Sequence, residues 1–168
     1  KAVAWVYRQQ PKTKPSKIIL IGHSAGAHIA ALLALNPYFL EAEGLPRSII
    51  KAWVSLAGPL AFNPLNTKST RPIFETARNN IKQTQPISFA NKNSPPAILF
   101  HGKDDKTVYE KNSIVMAKIL KENGNKVIHK SFDGLGHIGL LLSIAGSDLF
   151  EIDVRNEIIK SLAELSKY

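Results

Sequence analysis

The segment Ile18-Ile19-Leu20-Ile21-Gly22-His23-Ser24-Ala25-Gly26 decides how this sequence folds. It joins an apolar, mostly β-branched run to a serine bracketed by glycines, and an Ala- and Leu-rich stretch continues to Leu35. A continuous apolar run of this kind predicts a strand that is buried on both faces. The stretch after it predicts a helix that ends before Asn36-Pro37. The sequence therefore places Ser24 in a sharp turn between a strand and a helix.

The glycines around Ser24 indicate a particular chemistry. The pattern Gly-x-Ser-x-Gly is weak by itself, but a preceding strand and a following helix expose the serine Oγ at the carboxyl end of a parallel sheet. The Ala25 N–H then begins a helix, where the dipole favours a developing negative charge. A plain βα turn or a phosphate-binding loop is the alternative, although no Lys follows the second glycine. We expect Ser24 to be a nucleophile and Ala25 to belong to an oxyanion hole.

The rest of the chain alternates predicted strands with predicted helices. Further strands are expected over 52–57, 97–100 and 126–132, with helices over 109–123 and 148–166. This alternation predicts an α/β fold in which a mostly parallel sheet has helices on both faces. Residues 58–95 are rich in proline and hold one helical stretch near 73–82. We expect a single domain over 1–168, with residues 58–95 as a lid-like insertion.

The loops after the third and fourth predicted strands carry the other groups that a serine nucleophile needs. His101-Gly102-Lys103-Asp104-Asp105 follows the third strand, and His137 lies in a glycine-rich loop after the fourth. Where a nucleophilic serine lies on such a turn between a strand and a helix, an acidic residue follows it in the sequence, and a histidine follows the acidic residue. Asp104 and Asp133 compete with Asp105, and position alone does not separate Asp104 from Asp105. We expect His137 to be the base and Asp105 the orienting acid.

A substrate pocket is predicted more weakly. His23 lies within the turn and is expected to pack beside the site, and Leu60 and Phe62 follow the second predicted strand. Ile138 follows the expected base directly. These four residues are the candidate lining of a pocket, although the apolar ones fit a role in covering the core equally well.

Composition excludes several classes of function. The chain has no cysteine, which rules out a disulfide framework, a thiolate zinc site and a cysteine nucleophile. Its formal net charge is +9, but the basic residues are scattered, which favours a solvated basic surface over a nucleic-acid-binding face. No apolar run reaches the roughly 18 residues of a membrane span. We expect neither a nucleic-acid partner nor a membrane span.

Four motifs resemble those of the α/β-hydrolase superfamily. His101-Gly-x-x-Asp105-x-x-Val108 resembles its acid loop, and Gly136-His137 resembles its histidine loop. The run from Gly22 to His28 is similar to the nucleophile elbow of carboxylesterases related to the hormone-sensitive-lipase, feruloyl-esterase and kynurenine-formamidase groups. Ser55-Leu-Ala-Gly-Pro59 resembles the strand and turn after their nucleophile helix. The resemblance covers essentially the whole chain.

This resemblance implies an α/β-hydrolase fold and a serine carboxylic-ester hydrolase of the esterase or lipase type. It implies catalytic roles for Ser24, Asp105 and His137, a small-molecule ester as substrate, an acyl-enzyme intermediate, and no need for a metal or a cofactor. An amidase, formamidase or serine peptidase with the same three residues is the alternative. A non-catalytic fragment or binding module is the alternative from a different class.

One feature of these families has no counterpart before Ser24. They carry a His-Gly-Gly-type loop on the early strands, which supplies further oxyanion amides, and only 23 residues precede Ser24 here. We therefore expect the early strands to be missing and the edge of the first strand to be exposed. A complementing N-terminal segment or a homo-oligomer is the expected partner. Since one lost oxyanion donor costs about 10²–10³ in kcat, we expect weak or no turnover by this chain alone.

Overall fold

The computed structural model describes residues 1–11, 17–145 and 151–167. Their strands form one sheet in the order β1 (Ile18–His23), β2 (Ile50–Leu56), β3 (Ala97–Gly102) and β4 (Val127–Phe132). All neighbouring strands are parallel. Parallel neighbours need crossover connections, and helical segments supply them here. The predicted α/β architecture with a parallel sheet is confirmed.

Helices lie before, between and after the strands. Within the described ranges they are α1 (Ala2–Arg8), α2 (Ala25–Leu35), α3 (Tyr38–Glu41), α4 (Arg71–Phe74), α5 (Lys111–Glu122), α6 (His137–Leu142) and α7 (Val154–Leu165). Helix α2 has the predicted bounds. Helix α6 begins at His137, where the sequence predicted a turn. Helix α7 starts later than predicted because the Asp153 carboxylate caps it by accepting the Asn156 N–H at 3.0 Å. Residues 146–150 of the predicted range lie outside the described residues.

Two hydrophobic clusters cover the two faces of the sheet. Trp53 and Leu99 point to one face, where they pack with residues of α2 and α5. Val54 and Phe100 point to the other face, where they pack with residues of α6 and α7. Successive strand residues alternate between faces, so the apolar runs of β2 and β3 are buried on both sides. The prediction of helices on both faces is confirmed.

Strand β1 departs from the prediction of burial on both faces. Ile19 is 37% exposed and Ile21 is 55% exposed, whereas Ile18 and Leu20 pack against the first cluster. The cause is position, because β1 lies at one edge of the described sheet and α2 packs against only one of its faces. The described residues leave the other face of β1 uncovered.

The segment between β2 and β3 consists of short helical segments joined by turns. It contains α4 and 3₁₀ segments at Pro64–Asn66, Glu75–Thr84 and Pro86–Phe89. The helix expected near 73–82 is therefore split between α4 and a 3₁₀ segment, with a kink at Asn80 (φ −144°, ψ 51°). The Gln85 Nε2–H donates to the Phe62 carbonyl at 2.9 Å and holds the two ends of this segment together. No helix in the described ranges is long and apolar enough to cross a membrane.

Candidate active site

Ser24 occupies the turn between β1 and α2. Its backbone has φ 54° and ψ −121°, a conformation that a residue with a side chain adopts only under strain. The Ser24 N–H donates to the Leu56 carbonyl at 2.9 Å, which fixes the turn against β2. A Cβ at Gly22 would overlap the Gly26 carbonyl, so this tight crossing requires glycine at position 22. At Gly26 a Cβ would meet open space, so the packing of the turn does not require glycine at position 26.

His137 lies between the side chains of Ser24 and Asp105. Its Nε2 is 2.9 Å from the Ser24 Oγ, and its Nδ1 is 2.7 Å from the Asp105 Oδ2. An ionised carboxylate only accepts, so Nδ1 carries the proton and Nε2 accepts the Ser24 hydroxyl. The structure thus brings together three residues that follow three different strands. Such a chain of hydrogen bonds can remove the serine proton as the oxygen attacks a carbonyl.

The Asp105 side chain is buried and its carboxylate accepts several hydrogen bonds. It is 4% exposed, and its Oδ1 accepts the Thr107 and Val108 N–H groups, each at 2.8 Å. Burial alone would raise the pKa of Asp105. The Val108 N–H, the His137 side chain and the Thr107 N–H outweigh burial and hold the pKa below its ordinary value. Asp105 is therefore a carboxylate at neutral pH, as the hydrogen bond to His137 requires.

The two competing aspartates lie elsewhere. Asp104 is exposed. Asp133 is also exposed, and its carboxylate pairs with the Lys103 ammonium at 2.9 Å. The hydrogen bond to His137 therefore distinguishes Asp105 from Asp104, which position in the sequence did not.

Gly102 allows the acid loop to approach the histidine loop. A Cβ at position 102 would overlap the Leu135 carbonyl, and the Asp104 N–H donates to that same carbonyl at 3.1 Å. This contact joins the ends of β3 and β4 two residues before His137. The close approach brings the Asp105 carboxylate within reach of the imidazole.

His101 lies beneath the acid loop and is completely buried. Its Nε2–H donates to the Val108 carbonyl at 2.7 Å, and its Nδ1 accepts the Ser113 hydroxyl at 2.7 Å. Burial lowers the pKa of His101, so the ring is neutral at pH 7 and this tautomer satisfies both partners. The sequence predicted His101 at the end of a strand, but it gave no indication that His101 supports Asp105 through Val108.

Two other histidines hold neighbouring segments. The His23 Nε2–H donates to the His137 carbonyl at 3.0 Å, and the two ring centroids are 4.7 Å apart. The His28 Nε2–H donates to the Thr84 carbonyl at 2.7 Å, which fastens α2 to the segment between β2 and β3. Burial lowers the pKa of both rings. His23 thus contacts the backbone of His137.

A cavity of about 360 Å³ opens beside Ser24 and Ala25. Phe62, which the sequence suggested as a pocket residue, lines this cavity. Leu60 is fully buried in the first hydrophobic cluster. It therefore packs in the core, which was the alternative to a place in the pocket lining. Ile138 is 58% exposed and lies outside the lining. The sequence did not indicate the polar residues of the lining, although Thr107 lies within the acid-loop motif from His101 to Val108.

Ala25 is the first residue of α2 and also lines the cavity. The first N–H groups of a helix have no intrahelical acceptor, so the Ala25 N–H is available to a negatively charged oxygen. Ala25 directly follows Ser24 in the chain, and its N–H lies at the positive end of the helix dipole. Across the described ranges no cluster of three or more His, Asp or Glu side chains is arranged to hold a metal ion.

Comparison with curated proteins finds related enzymes. A kynurenine formamidase of Drosophila melanogaster is 26% identical over 152 residues, covering 86% of this chain and 50% of that protein. A probable isoprenylcysteine alpha-carbonyl methylesterase of Arabidopsis thaliana is 32% identical over 151 residues, covering 76% of this chain and 31% of that protein. The chain therefore spans at most about half the length of these relatives.

Solved structures share the fold. A thermophilic esterase of the Planctomycetes species Thermogutta terrifontis matches with a TM-score of 0.63 at 28% identity, over 81% of this chain and 51% of that one. A truncated carbohydrate esterase from gut microbiota matches with a TM-score of 0.74 at 18% identity, over 99% of this chain and 66% of that one. The BD-FAE family profile matches residues 1–120, which is most of the chain. The chain therefore belongs to the BD-FAE family of α/β-hydrolase esterases.

Proposed function

We propose that this chain carries the nucleophile, base and acid of a serine carboxylic-ester hydrolase. The observation that carries the proposal is the hydrogen-bonded chain from the Ser24 Oγ through His137 to the Asp105 carboxylate. Family membership and the esterases and methylesterases among its relatives support the same reaction class. The activity of the whole protein is part of the proposal, since this chain spans about half the length of its relatives.

The reaction begins when the Ser24 Oγ attacks the ester carbonyl. His137 Nε2 takes the hydroxyl proton, and the Asp105 carboxylate stabilises the imidazolium that forms. The Ala25 N–H donates to the oxyanion of the tetrahedral intermediate. The C–O bond to the alcohol then breaks, and His137 returns its proton to the leaving oxygen. This leaves an acyl group on Ser24.

Water completes the cycle. It attacks the acyl-enzyme carbonyl while His137 Nε2 accepts one of its protons. Collapse of the second tetrahedral intermediate breaks the bond to Ser24 Oγ, which recovers its proton from His137. The carboxylic acid product leaves and the starting protonation state is restored.

Covalent labelling tests the proposal directly. A fluorophosphonate probe should label the wild-type chain, and Ser24→Ala should abolish the label. Ser88→Ala is the matched control, because Ser88 is an exposed serine outside the cavity. Equal labelling of Ser24→Ala and wild type would refute the assignment of the nucleophile. Absence of labelling, both in this chain and in a longer polypeptide that contains it, would favour a non-catalytic binding module.

Amide hydrolysis is the second candidate because a curated relative is a kynurenine formamidase. The same three residues can attack an N-formyl group. The competing substrates are p-nitrophenyl esters and N-formylated aromatic amines, compared by kcat/KM on one enzyme preparation. A larger kcat/KM for the esters supports the esterase, and the reverse order supports the formamidase.

A further inference from the structure

His23 is the last residue of β1 and directly precedes Ser24. In the parallel pairing of β1 with β2 it lies opposite Leu56, and the Leu56 carbonyl accepts the Ser24 N–H at 2.9 Å. A strand end that is paired in this way holds the side chains that start from it more precisely than a free loop would. His23 is not among the described residues that line the cavity beside Ser24. Its side chain therefore has a different role from the pocket lining that the sequence suggested.

The side chain of His23 contacts the base. Its Nε2 lies 3.0 Å from the His137 carbonyl oxygen, and the two ring planes are tilted by 44°. A carbonyl oxygen only accepts, so the His23 Nε2 carries the proton and donates it. The Ser24 Oγ bonds the imidazole of the same residue at 2.9 Å. Two consecutive residues thus hold His137, one through its backbone and the other through its ring.

The acid loop holds the histidine loop from the opposite side. The Asp104 N–H donates to the Leu135 carbonyl at 3.1 Å, and the Asp105 Oδ2 lies 2.7 Å from His137 Nδ1. From the nucleophile side, the His23 side chain bonds the backbone of the histidine loop at His137 itself. The distance between the base and the nucleophile depends on where both loops lie. A hydrogen bond between these loops therefore fixes a distance on which proton transfer depends.

His23 supplies this hydrogen bond without a charge. Burial lowers the pKa of His23, although the hydrogen bond to the His137 carbonyl opposes the shift, and the ring is neutral at pH 7. His137 becomes an imidazolium when it takes the Ser24 proton, and its ring centroid is 4.7 Å from that of His23. A second positive charge at this distance would oppose the proton transfer. A neutral donor can hold His137 in place without that repulsion.

We propose that His23 is a positioning residue for the base: its N–H ties the His137 backbone to the strand end that carries Ser24, and so sets the distance over which the serine proton moves. The inference rests on the proposed serine-hydrolase function and adds a residue to that same site. His23 acts through His137 and takes no part in the exchange of bonds.

Two substitutions separate the hydrogen bond from the ring. His23→Phe keeps an aromatic ring beside His137 and removes the donor, whereas His23→Gln removes the ring and keeps an N–H donor. The probe is methyl 4-nitrophenyl pentylphosphonate. The Ser24 Oγ–P bond forms as the P–O bond to 4-nitrophenolate breaks, and His137 takes the serine proton. Intact mass gives the labelling rate at several probe concentrations.

The two variants should differ in the limiting rate at saturating probe. This rate should fall about 10–100-fold in His23→Phe, because a small displacement of a reacting group costs a factor of this order. His23→Gln should recover most of the loss. The probe concentration that gives half the limiting rate should stay unchanged in both, since His23 does not line the cavity. His129→Phe is the matched control, because it replaces a partly buried strand histidine outside the site and should label like the wild type.

The His137→Ala background tests whether His23 acts through the base. Without an imidazole at position 137, histidine and phenylalanine at position 23 should give the same residual rate. An equal fold-loss in both backgrounds would mean that His23 acts on the turn around Ser24, and would overturn the proposal. So would a His23→Phe variant that labels as fast as the wild type, or a His23→Gln variant as slow as His23→Phe.

A measurement on the wild-type chain needs no variant. Nitrogen chemical shifts of the His23 ring at about pH 7.5, above the ordinary pKa of histidine, should show a proton on Nε2 and none on Nδ1. A proton on Nδ1 alone would overturn the proposal even if His23→Phe does not fold. If the probe leaves Ser24 unlabelled, both in this chain and in a longer polypeptide that contains it, the serine-hydrolase proposal fails and this inference fails with it. If wild-type Ser24 is labelled and His23→Phe matches it, only the role of His23 is wrong.

Discussion

His101 Nε2, in β3, lies 3.5 Å from Asp105 Oδ2, four residues later in the loop after that strand, and both side chains are fully enclosed. The proton on that nitrogen is directed to the Val108 carbonyl at 2.7 Å, while the Val108 N–H donates to the other oxygen of Asp105. His101 therefore fixes Val108, the residue whose N–H donates to the Asp105 carboxylate. We therefore expect the orientation of Asp105 toward His137 to depend on this completely buried ring.

His101→Asn tests this dependence. The variant leaves the Ser113 hydroxyl and the Val108 carbonyl buried without their partners, which should cost about 1–3 kcal/mol in free energy of unfolding. Labelling of Ser24 should slow as well, because the Asp105 carboxylate is less firmly held. Urea unfolding and probe labelling measure the two effects.

His129→Asn is the matched control for this buried histidine. The His129 Nε2 is buried and has no hydrogen-bond partner among the described residues, so its loss breaks no hydrogen bond at that atom. Both effects should be smaller in this control. If His101→Asn is no less stable and no slower than His129→Asn, His101 does not support the acid loop.

Asp105→Asn should reduce the rate of acylation by about 10⁴, because an amide in place of the carboxylate favours the wrong tautomer of His137. Asp104→Asn is the neighbouring control and should leave the rate within about twofold, since Asp104 is exposed and an exposed group contributes little. Stopped-flow measurement of phosphonate labelling resolves both. Comparable losses in the two variants would mean that the structure misplaces the acid.

Gly22→Ala and Gly26→Ala should have opposite effects on stability. A Cβ at position 22 overlaps the Gly26 carbonyl, and this overpacking against backbone should cost about 1–3 kcal/mol or more. At position 26 a Cβ meets open space within the first turn of α2, where alanine should stabilise by about 0.5–1 kcal/mol. Thermal unfolding of the two variants checks the sign of each effect. A Gly22→Ala protein as stable as wild type would contradict the close crossing in the turn.

The sequence was sufficient to predict the elements that consist of continuous apolar runs bounded by turn residues. Helix α2 has the predicted bounds because an Ala- and Leu-rich run ends at Asn36-Pro37, and β3 lies where a buried apolar run precedes the acid loop. Ser24, Asp105 and His137 each follow a predicted strand, and the sequence predicts that they meet because parallel strands end at the same edge of a sheet. This prediction depends on the order of strands and loops along the chain, which local sequence patterns indicate well.

The remaining features depend on contacts that no local pattern contains. Leu60 and Phe62 are both apolar and two residues apart, yet one packs in the core and the other lines the cavity. The exposure of Ile19 and Ile21 depends on which segments cover β1, and an apolar run does not record that. The bond from His101 to Val108 depends on how the acid loop turns back over β3. Tertiary packing decided each of these.

Stability should fall as the pH drops below about 6.5, the ordinary pKa of histidine. Burial lowers the pKa of His23, His28, His101 and His129 in the folded chain. Between the ordinary value and these lowered values, the unfolded chain binds protons that the folded chain does not. Stability therefore rises with pH in this window and is complete above it. The lowered pKa of Asp105 acts in the same direction, but only at pH values below about 4.

The slope of this dependence can be assigned to individual rings. Each histidine contributes at most about 1.4 kcal/mol per pH unit to the free energy of unfolding. His28→Gln removes one of them and retains a side-chain donor for the Thr84 carbonyl, so it should flatten the curve below about pH 6.5. Urea unfolding of both proteins across that range measures the difference. An unchanged slope in His28→Gln would mean that His28 titrates alike in the folded and unfolded chains, which would contradict its burial beside Thr84.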